Sequence, residues 1–366
     1  MKRALWPRVR VFQPKEDLTQ RPQRNSQRYA KEISLRPFAK NLVPFAFRFV
    51  ILSCQSSMSK TTLTLPAFAK INLGLRVLGK RPDGYHEIQT VFQTISLRDT
   101  LRFTVTDGPH IVLACDDRRV PSGAENIVCR AAAALQQRCK VQQGTYIRLE
   151  KKIPTEAGLG GGSSDAAMTL LALAHLWQTS ATEGDLIEIA GRLGADVPFF
   201  LGGGTALGTG IGKDLAELFD VDEKFLIVIR PNAGISTAAA YQALNAPSLT
   251  STEGKTILSS SQGGEFFDNL DSDALQNDFE AMAFRLEPET ARAKAALIRS
   301  GARAALLAGS GSAVFGIFDG GDARERAIQT IELEAGWRVF PCSTVGRSQY
   351  RSAISSAGEI FAHAFG

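Results

Sequence analysis

Between a strand-like and a strongly helical stretch the chain runs Pro154-Thr155-Glu156-Ala157-Gly158-Leu159-Gly160-Gly161-Gly162-Ser163-Ser164-Asp165-Ala166-Ala167, with four glycines and two serines within seven positions. The alternating Thr145–Ile153 predicts the strand before it, and the apolar Ser164–Trp177 predicts the helix after it. Glycines at a helix start let several backbone N–H groups converge without Cβ obstruction at the positive end of the helix dipole, which makes an anion cradle. Two familiar nucleotide fingerprints fail. In G-x-x-x-x-G-K-[ST], Gly212-Lys213 is followed by Asp214 and Leu207 stands where the first glycine belongs; in G-x-G-x-x-G, Ser163 takes the last place. Taken alone, the segment also fits a flexible turn capped by serine.

Composition limits what such a loop can serve. The 366 residues are 44% hydrophobic and 22% charged, which excludes whole-chain disorder, collagen-like repetition and a coiled coil, and the length favours two domains. The apolar run Phe45–Cys54 is broken by Arg48 and is about half the ~20 residues a membrane span needs. Cys54, Cys115, Cys129, Cys139 and Cys342 show no C-x-x-C spacing and are odd in number, as expected of thiols. The net charge of +5 is uneven: residues 1–57 hold 12 Lys and Arg against 3 Asp and Glu, leaving 30 against 34 over residues 58–366. The larger part therefore lacks the positive bias of a backbone-phosphate binder, and neither a nucleic acid nor a membrane is expected as partner. Residues 1–57 fit a disordered basic tail, an Arg-rich transit peptide, or sequence upstream of a true start at Met58. A bacterial cytoplasmic location is expected, or a plastid one if the extension is a transit peptide.

Short strand patterns at Leu63–Phe68, Ile71–Leu78, Ile88–Leu97 and Leu101–Thr106 are punctuated by Gly79, Pro82-Asp83-Gly84 and Asp107-Gly108-Pro109. Asn126–Cys139 and Glu183–Leu193 read as helices, and Phe225–Ile229 as a buried strand ending at Pro231. Helices are expected at Ser236–Leu244, Glu287–Ser300 and Asp322–Glu334, strands at Ala304–Leu307, Val314–Phe318 and Trp337–Pro341, and a long surface loop over 246–267. Without steady βαβ alternation, α+β is the expected class. The expected domains are 63–224 and 225–351, with a tail at 352–366.

The loop resembles the phosphate-binding motif of the GHMP kinases, the superfamily of galactokinase, homoserine kinase and mevalonate kinase. Ala67-Phe68-Ala69-Lys70-Ile71-Asn72-Leu73-Gly74-Leu75, Arg81-Pro82-Asp83-Gly84-Tyr85-His86-Glu87 and Thr90-Val91-Phe92-Gln93 resemble the opening of the branch that acts on 4-diphosphocytidyl-2-C-methyl-D-erythritol, in the non-mevalonate route to isoprenoids. Leu306-Leu307-Ala308-Gly309-Ser310-Gly311-Ser312-Ala313-Val314-Phe315 resembles the superfamily's third motif, and Gly194-Ala195-Asp196-Val197-Pro198-Phe199-Phe200 also fits the pattern. The resemblance spans about residues 65–345 and implies a two-domain GHMP fold: an N-terminal mixed α/β domain with a ribosomal-protein-like fold, a C-terminal α+β domain, and an active site between them.

It further implies that ATP phosphorylates the 2-hydroxyl of the methylerythritol moiety of a cytidine diphosphate conjugate, with a monomer or weak homodimer as the working form. The loop from Pro154 through Gly158, Leu159, Gly160, Gly161, Gly162 and Ser163 to Ser164 would hold ATP, aided by Gly309 and Gly311. Asp196, a carboxylate in an apolar context, is the expected general base and Lys70 its electrostatic partner. Asn72 lies two residues on, so in a strand it shares the Lys70 face and is expected to bond the polyol. Tyr85 and Tyr241 are the expected plates of a cytosine sandwich, with His86 reading the base edge and Thr237 a nearby polar contact. ATP chemistry implies Mg²⁺, with Ser164 as a ligand and Glu156 turned to solvent. Alternatives are a mevalonate-like or homoserine-like GHMP kinase, or a catalytically silent GHMP-fold ligand sensor.

Overall fold

The computed structural model describes residues 62–244 and 275–355. The extension at 1–57, the loop expected over 246–267 and Cys54 lie outside the described residues. The remaining cysteines are free thiols.

Two long antiparallel strands, β1 (Thr62–Lys80) and β2 (His86–Thr106), replace the four short ones read from the sequence. The apparent breaks are register irregularities between Phe68 and Ala69, Asn72 and Gly74, and Val77 and Gly79, which bend the ribbon without ending it. On the other edge of β2, residues 90–93 pair with β5 (Thr205–Thr209) and residues 100–106 with β4 (Gly144–Glu150). β3 (Ile111–Cys115) and β6 (Asp214–Glu217) complete this sheet of six. In β4 buried Ile147 and Leu149 alternate with exposed Tyr146, Arg148 and Glu150, the mark of a sheet with one face covered.

The covering layer is α1 (Ile127–Cys139), α2 (Gly161–Leu176) and α3 (Glu183–Leu193). α2 is buried continuously from Ser164 to Ala174, so its lack of a polar face marks the centre of the core. α3 opens with a Thr182–Asp185 capping box, which explains why its start was legible. A single turn, α4 (Phe199–Gly202), follows.

The second half is a four-stranded antiparallel sheet in the order β10 (Arg338–Ser343), β7 (Phe225–Arg230), β9 (Val314–Phe318), β8 (Ala304–Leu307). With it run α5 (Thr237–Ala243), α6 (Glu280–Leu286), α7 (Pro288–Arg299) and α8 (Gly321–Thr330). α8 stops before the Glu334 expected for it. The halves share a core: Ile71, Leu73 and Val91 pack in one cluster with Val228, Phe315 and Ile317. The Leu75 N–H also donates to the Gln276 carbonyl at 2.8 Å, and Leu75 accepts from the Asp278 N–H at 3.0 Å.

The last described helix, α9 (Arg347–Ser355), corrects the boundary placed at 351. It runs four residues further, and its buried Tyr350, expected in the second domain, and Ile354, expected in the tail, belong to the core of the first sheet. Among the described residues no helix is long and apolar enough to cross a membrane.

Candidate active site

A cavity of about 1380 Å³ opens along the glycine loop. α2 begins at Gly161, inside the loop, so the first free N–H groups of the helix belong to the glycine run itself. The first turn carries no acidic side chain. Gly158 must be glycine: at φ 75° its Cβ would fall 1.9 Å from the Ala308 carbonyl oxygen of the second half. The loop is thus pinned between the two sheets. Pro154 and Leu159 are buried on the cavity wall, and Glu156, though exposed, also lines the cavity.

At one end of the loop lies Lys70, 3% exposed and held by β1. Its N–H donates to the Leu159 carbonyl at 3.0 Å, and its Cγ lies 3.1 Å from where a Cβ on Gly160 would stand. The ammonium is 3.5 Å from Asp196 Oδ2 and donates to Asn72 Oδ1 at 2.8 Å. Asn72 Nδ2 donates to Thr90 Oγ1 at 2.7 Å, and Thr90 donates to the Gly74 carbonyl at 2.7 Å, so the amide is oriented by its neighbours. Asn72 therefore faces the same side as Lys70, but its first task in this structure is to hold the ammonium. Asp196 sits in the turn between α3 and α4 with its side chain 33% exposed, open to the cavity. Gly309 closes this end: a Cβ there would lie 3.2 Å from Lys70 Nζ.

The other end was not foreseen. Lys151, just beyond β4, donates to Asp165 Oδ2 at 2.8 Å and to Asp99 Oδ2. Asp99 Oδ1 accepts the N–H groups of Lys152 and Ile153, the latter at 2.8 Å. The strand entering the loop and the helix leaving it are therefore tied to one buried cluster. Burial disfavours the Lys151 ammonium, but the two carboxylates outweigh it and raise its pKa. Burial pushes Asp165 up to about 7, with Lys151 opposing and Asp99 assisting. Asp165 Oδ1 has no hydrogen-bond partner, and the residue lines the cavity.

Beyond Lys70 the cavity reaches Tyr85, His86 and Tyr241. The rings that meet are His86 and Tyr241, stacked with centroids 4.9 Å apart and planes at 29°, while Tyr85 is 60% exposed. The imidazole thus covers Tyr241, and Tyr85 stands on the same cavity wall, one residue before His86. Phe279 meets Tyr241 edge-on at 4.9 Å and fixes its plane. Burial, with Asp196 adding to it, pushes the Tyr241 phenol up to about 12; burial, with Lys80 adding to it, lowers the His86 pKa.

Two further expectations change. Ser164 is fully buried, its hydroxyl has no partner, and it is not on the cavity wall, whereas Ser163 and Asp165 are. On a helix, neighbouring residues point about 100° apart, so the serine pair cannot both face the loop. Gly311 is also off the wall; its N–H donates to the Ala308 carbonyl at 2.9 Å and shapes the turn against which Gly158 packs. Thr237 begins α5.

Residues 126–221 match the family model described as GHMP kinases N terminal domain, and residues 259–334 match GHMP kinases C terminal. A 4-diphosphocytidyl-2-C-methyl-D-erythritol kinase of Solibacter usitatus is 43% identical over 291 residues, covering 79% of this chain and 90% of the relative. One from Citrifermentans bemidjiense is 40% identical over 288 residues, 79% of this chain and 100% of its own length. A crystal structure of 4-(cytidine 5'-diphospho)-2C-methyl-D-erythritol kinase matches with a TM-score of 0.66 and 35% identity, covering 78% of this chain and 100% of the other. L. major mevalonate kinase in complex with R-mevalonate, at 15% identity and a TM-score of 0.58 over 79% of this chain and 97% of its own, shares the fold.

Proposed function

The chain belongs to the 4-diphosphocytidyl-2-C-methyl-D-erythritol kinase family of GHMP kinases, and from that membership we propose that it moves the γ-phosphoryl group of ATP onto the 2-hydroxyl of 4-diphosphocytidyl-2-C-methyl-D-erythritol. The observation that carries this reading is the Lys70–Asp196 pair, 3.5 Å apart and set against Gly160 of the phosphate loop. Phosphoryl transfer needs a phosphate cradle, an oriented hydroxyl and a proton acceptor. Backbone N–H groups of Gly161, Gly162 and Ser163 supply the cradle. Asp196 takes the proton of the 2-hydroxyl as its oxygen bonds to the γ-phosphorus. The bond to the bridging oxygen breaks and its electron pair leaves on ADP. Lys70 steadies the charged carboxylate and the incoming oxyanion.

The apolar wall of Val120, Pro121, Ile127 and Leu149 beyond the glycines suits a purine. The His86–Tyr241 stack and the exposed Tyr85 suit a pyrimidine at the opposite end. Mg²⁺ fits as an ion held chiefly by phosphate oxygens and water, because the described residues include no cluster of three or more metal-holding side chains. When bound, the ion neutralises charge on the phosphates.

The test is ADP release measured with the cytidine diphosphate conjugate, mevalonate and homoserine as acceptors. The conjugate should be used at least about 10⁴-fold better, since a site built to bond a base rejects molecules lacking it. Equal use of the three acceptors sinks the reading.

A further inference from the structure

α9 crosses back from the second half and seats on α4, the single turn of helix that follows Asp196. Tyr350 is fully buried, and its hydroxyl donates to the backbone oxygen of Phe200. Its ring lies 5.4 Å from that of Phe68, which precedes Lys70 by two residues in β1. Phe200 lies in α4, which starts three residues after Asp196. One side chain thus touches both elements that present the Lys70–Asp196 pair.

The seat is built for it. Gly203, at φ 64°, would put a Cβ 2.3 Å from the Tyr350 ring, so only glycine admits the aromatic there. Arg347, at the start of α9, donates to the Thr205 carbonyl at 2.6 Å and the Leu218 carbonyl at 3.2 Å, and its N–H to Asp220 Oδ2 at 2.6 Å. α4 needs such support. It is a single turn without a side-chain cap bond, and its last carbonyls have no partner within the helix. What α4 supports in turn is the site. The Phe200 ring is 2.8 Å from where a Cβ on Gly160 would stand, and Phe199 packs at 5.0 Å against Phe92, over which the Lys70 ammonium sits at 5.6 Å.

We propose that Tyr350 is a positioning residue for phosphoryl transfer: by holding α4 through the Phe200 carbonyl, it sets where Asp196 stands relative to Lys70 and where Gly160 stands in the phosphate loop. Tyr350 does not line the cavity, so it acts only through these neighbours. The proposal rests on the reading of Asp196 as the base.

The experiment compares Tyr350→Phe, which deletes one oxygen, with Ile354→Ala, a cavity in the same buried face of α9, and with Asp196→Asn. Steady-state kinetics and melting curves are recorded for each, with rates taken well below every melting temperature. Tyr350→Phe should lower kcat by roughly ten- to a hundredfold with both KM values within about twofold, because small misplacements at the reacting atoms are costly. Ile354→Ala should lower the melting temperature at least as much while kcat stays within about twofold. The proposal is overturned if Tyr350→Phe keeps wild-type kcat, or if the two α9 variants lose kcat equally. If Asp196→Asn retains turnover, the base assignment fails and takes the proposal with it; if only Tyr350→Phe retains turnover, the proposal fails alone.

Discussion

The two ends of the phosphate loop each place a lysine beside carboxylate, and they differ in stoichiometry and access. At one end Lys70 meets a single carboxylate, Asp196, whose side chain is 33% exposed. At the other, Lys151 is shared by Asp99 and Asp165, with side-chain exposures of 6%, 0% and 3%. An ion pair that keeps one face open can receive a substrate hydroxyl and take its proton. A sealed cluster with two acids and one base has no such use; its hydrogen bonds run to Lys152, Ile153 and α2, the two flanks of the loop. The same residue types serve chemistry where the carboxylate is a third exposed and architecture where it is almost wholly buried.

The largest effect should come from the open end. Asp196→Asn removes the proton acceptor while preserving shape, so turnover should fall by roughly 10²–10⁴ with ATP binding and melting temperature nearly unchanged. Near-normal turnover in the folded variant would erase the distinction between the two ends.

At the sealed end the damage should be to folding. Lys151→Met leaves two buried carboxylates without their cation and should cost about 3–5 kcal/mol, the scale for breaking a buried ion pair. Urea unfolding measures it. A loss under about 1 kcal/mol would mean the cluster is not a structural staple.

The sequence exposed these ends unequally, for reasons of distance. Lys70, Asn72 and Asp196 were legible because a polar group in an apolar run stands out, and because period-two spacing puts Lys70 and Asn72 on one strand face. Lys151 lies 52 residues from Asp99, and Tyr350 lies 150 from Phe200; no local pattern announces such pairings. The orientation of Ser163 against Ser164 was hidden because α2 starts at Gly161, three residues before the apolar pattern becomes helical. α4, β5 and β6 lie in a stretch whose glycines interrupt any periodicity, so only the fold reveals them. The His86–Tyr241 stack needed β2 and α5 brought together, which spacing does not encode.

That stack sharpens the comparison on the acceptor side. Tyr241 is held edge-on by Phe279, whereas Tyr85 is 60% exposed, so the fixed ring should matter more. Tyr241→Ala should raise KM for the cytidine substrate by the equivalent of about 1–3 kcal/mol, and Tyr85→Ala by less, with KM for ATP little altered in both. The reverse order would make Tyr85 the principal plate of the two-tyrosine sandwich read from the sequence.

Measured per pH unit, the smallest effect tests whether the sealed cluster traps a proton. Burial, which penalises the charged form, pushes the Asp165 pKa up from an ordinary 3.8 to about 7 in the folded chain. Between those values the native state keeps a proton that the unfolded chain has released, so stability should fall as pH rises from about 4 to about 7. The slope from one proton is at most ~1.4 kcal/mol per pH unit. Asp165→Asn removes this titration and leaves Lys151 paired with Asp99 alone. Its melting temperature should therefore decline less than that of the wild type between pH 5 and pH 8. Asp196→Asn, at the open end, should keep the wild-type decline. A wild-type and an Asp165→Asn protein that lose the same number of degrees over that range would show that the second acid of the sealed cluster is charged throughout, and that its difference from the open pair is one of access alone.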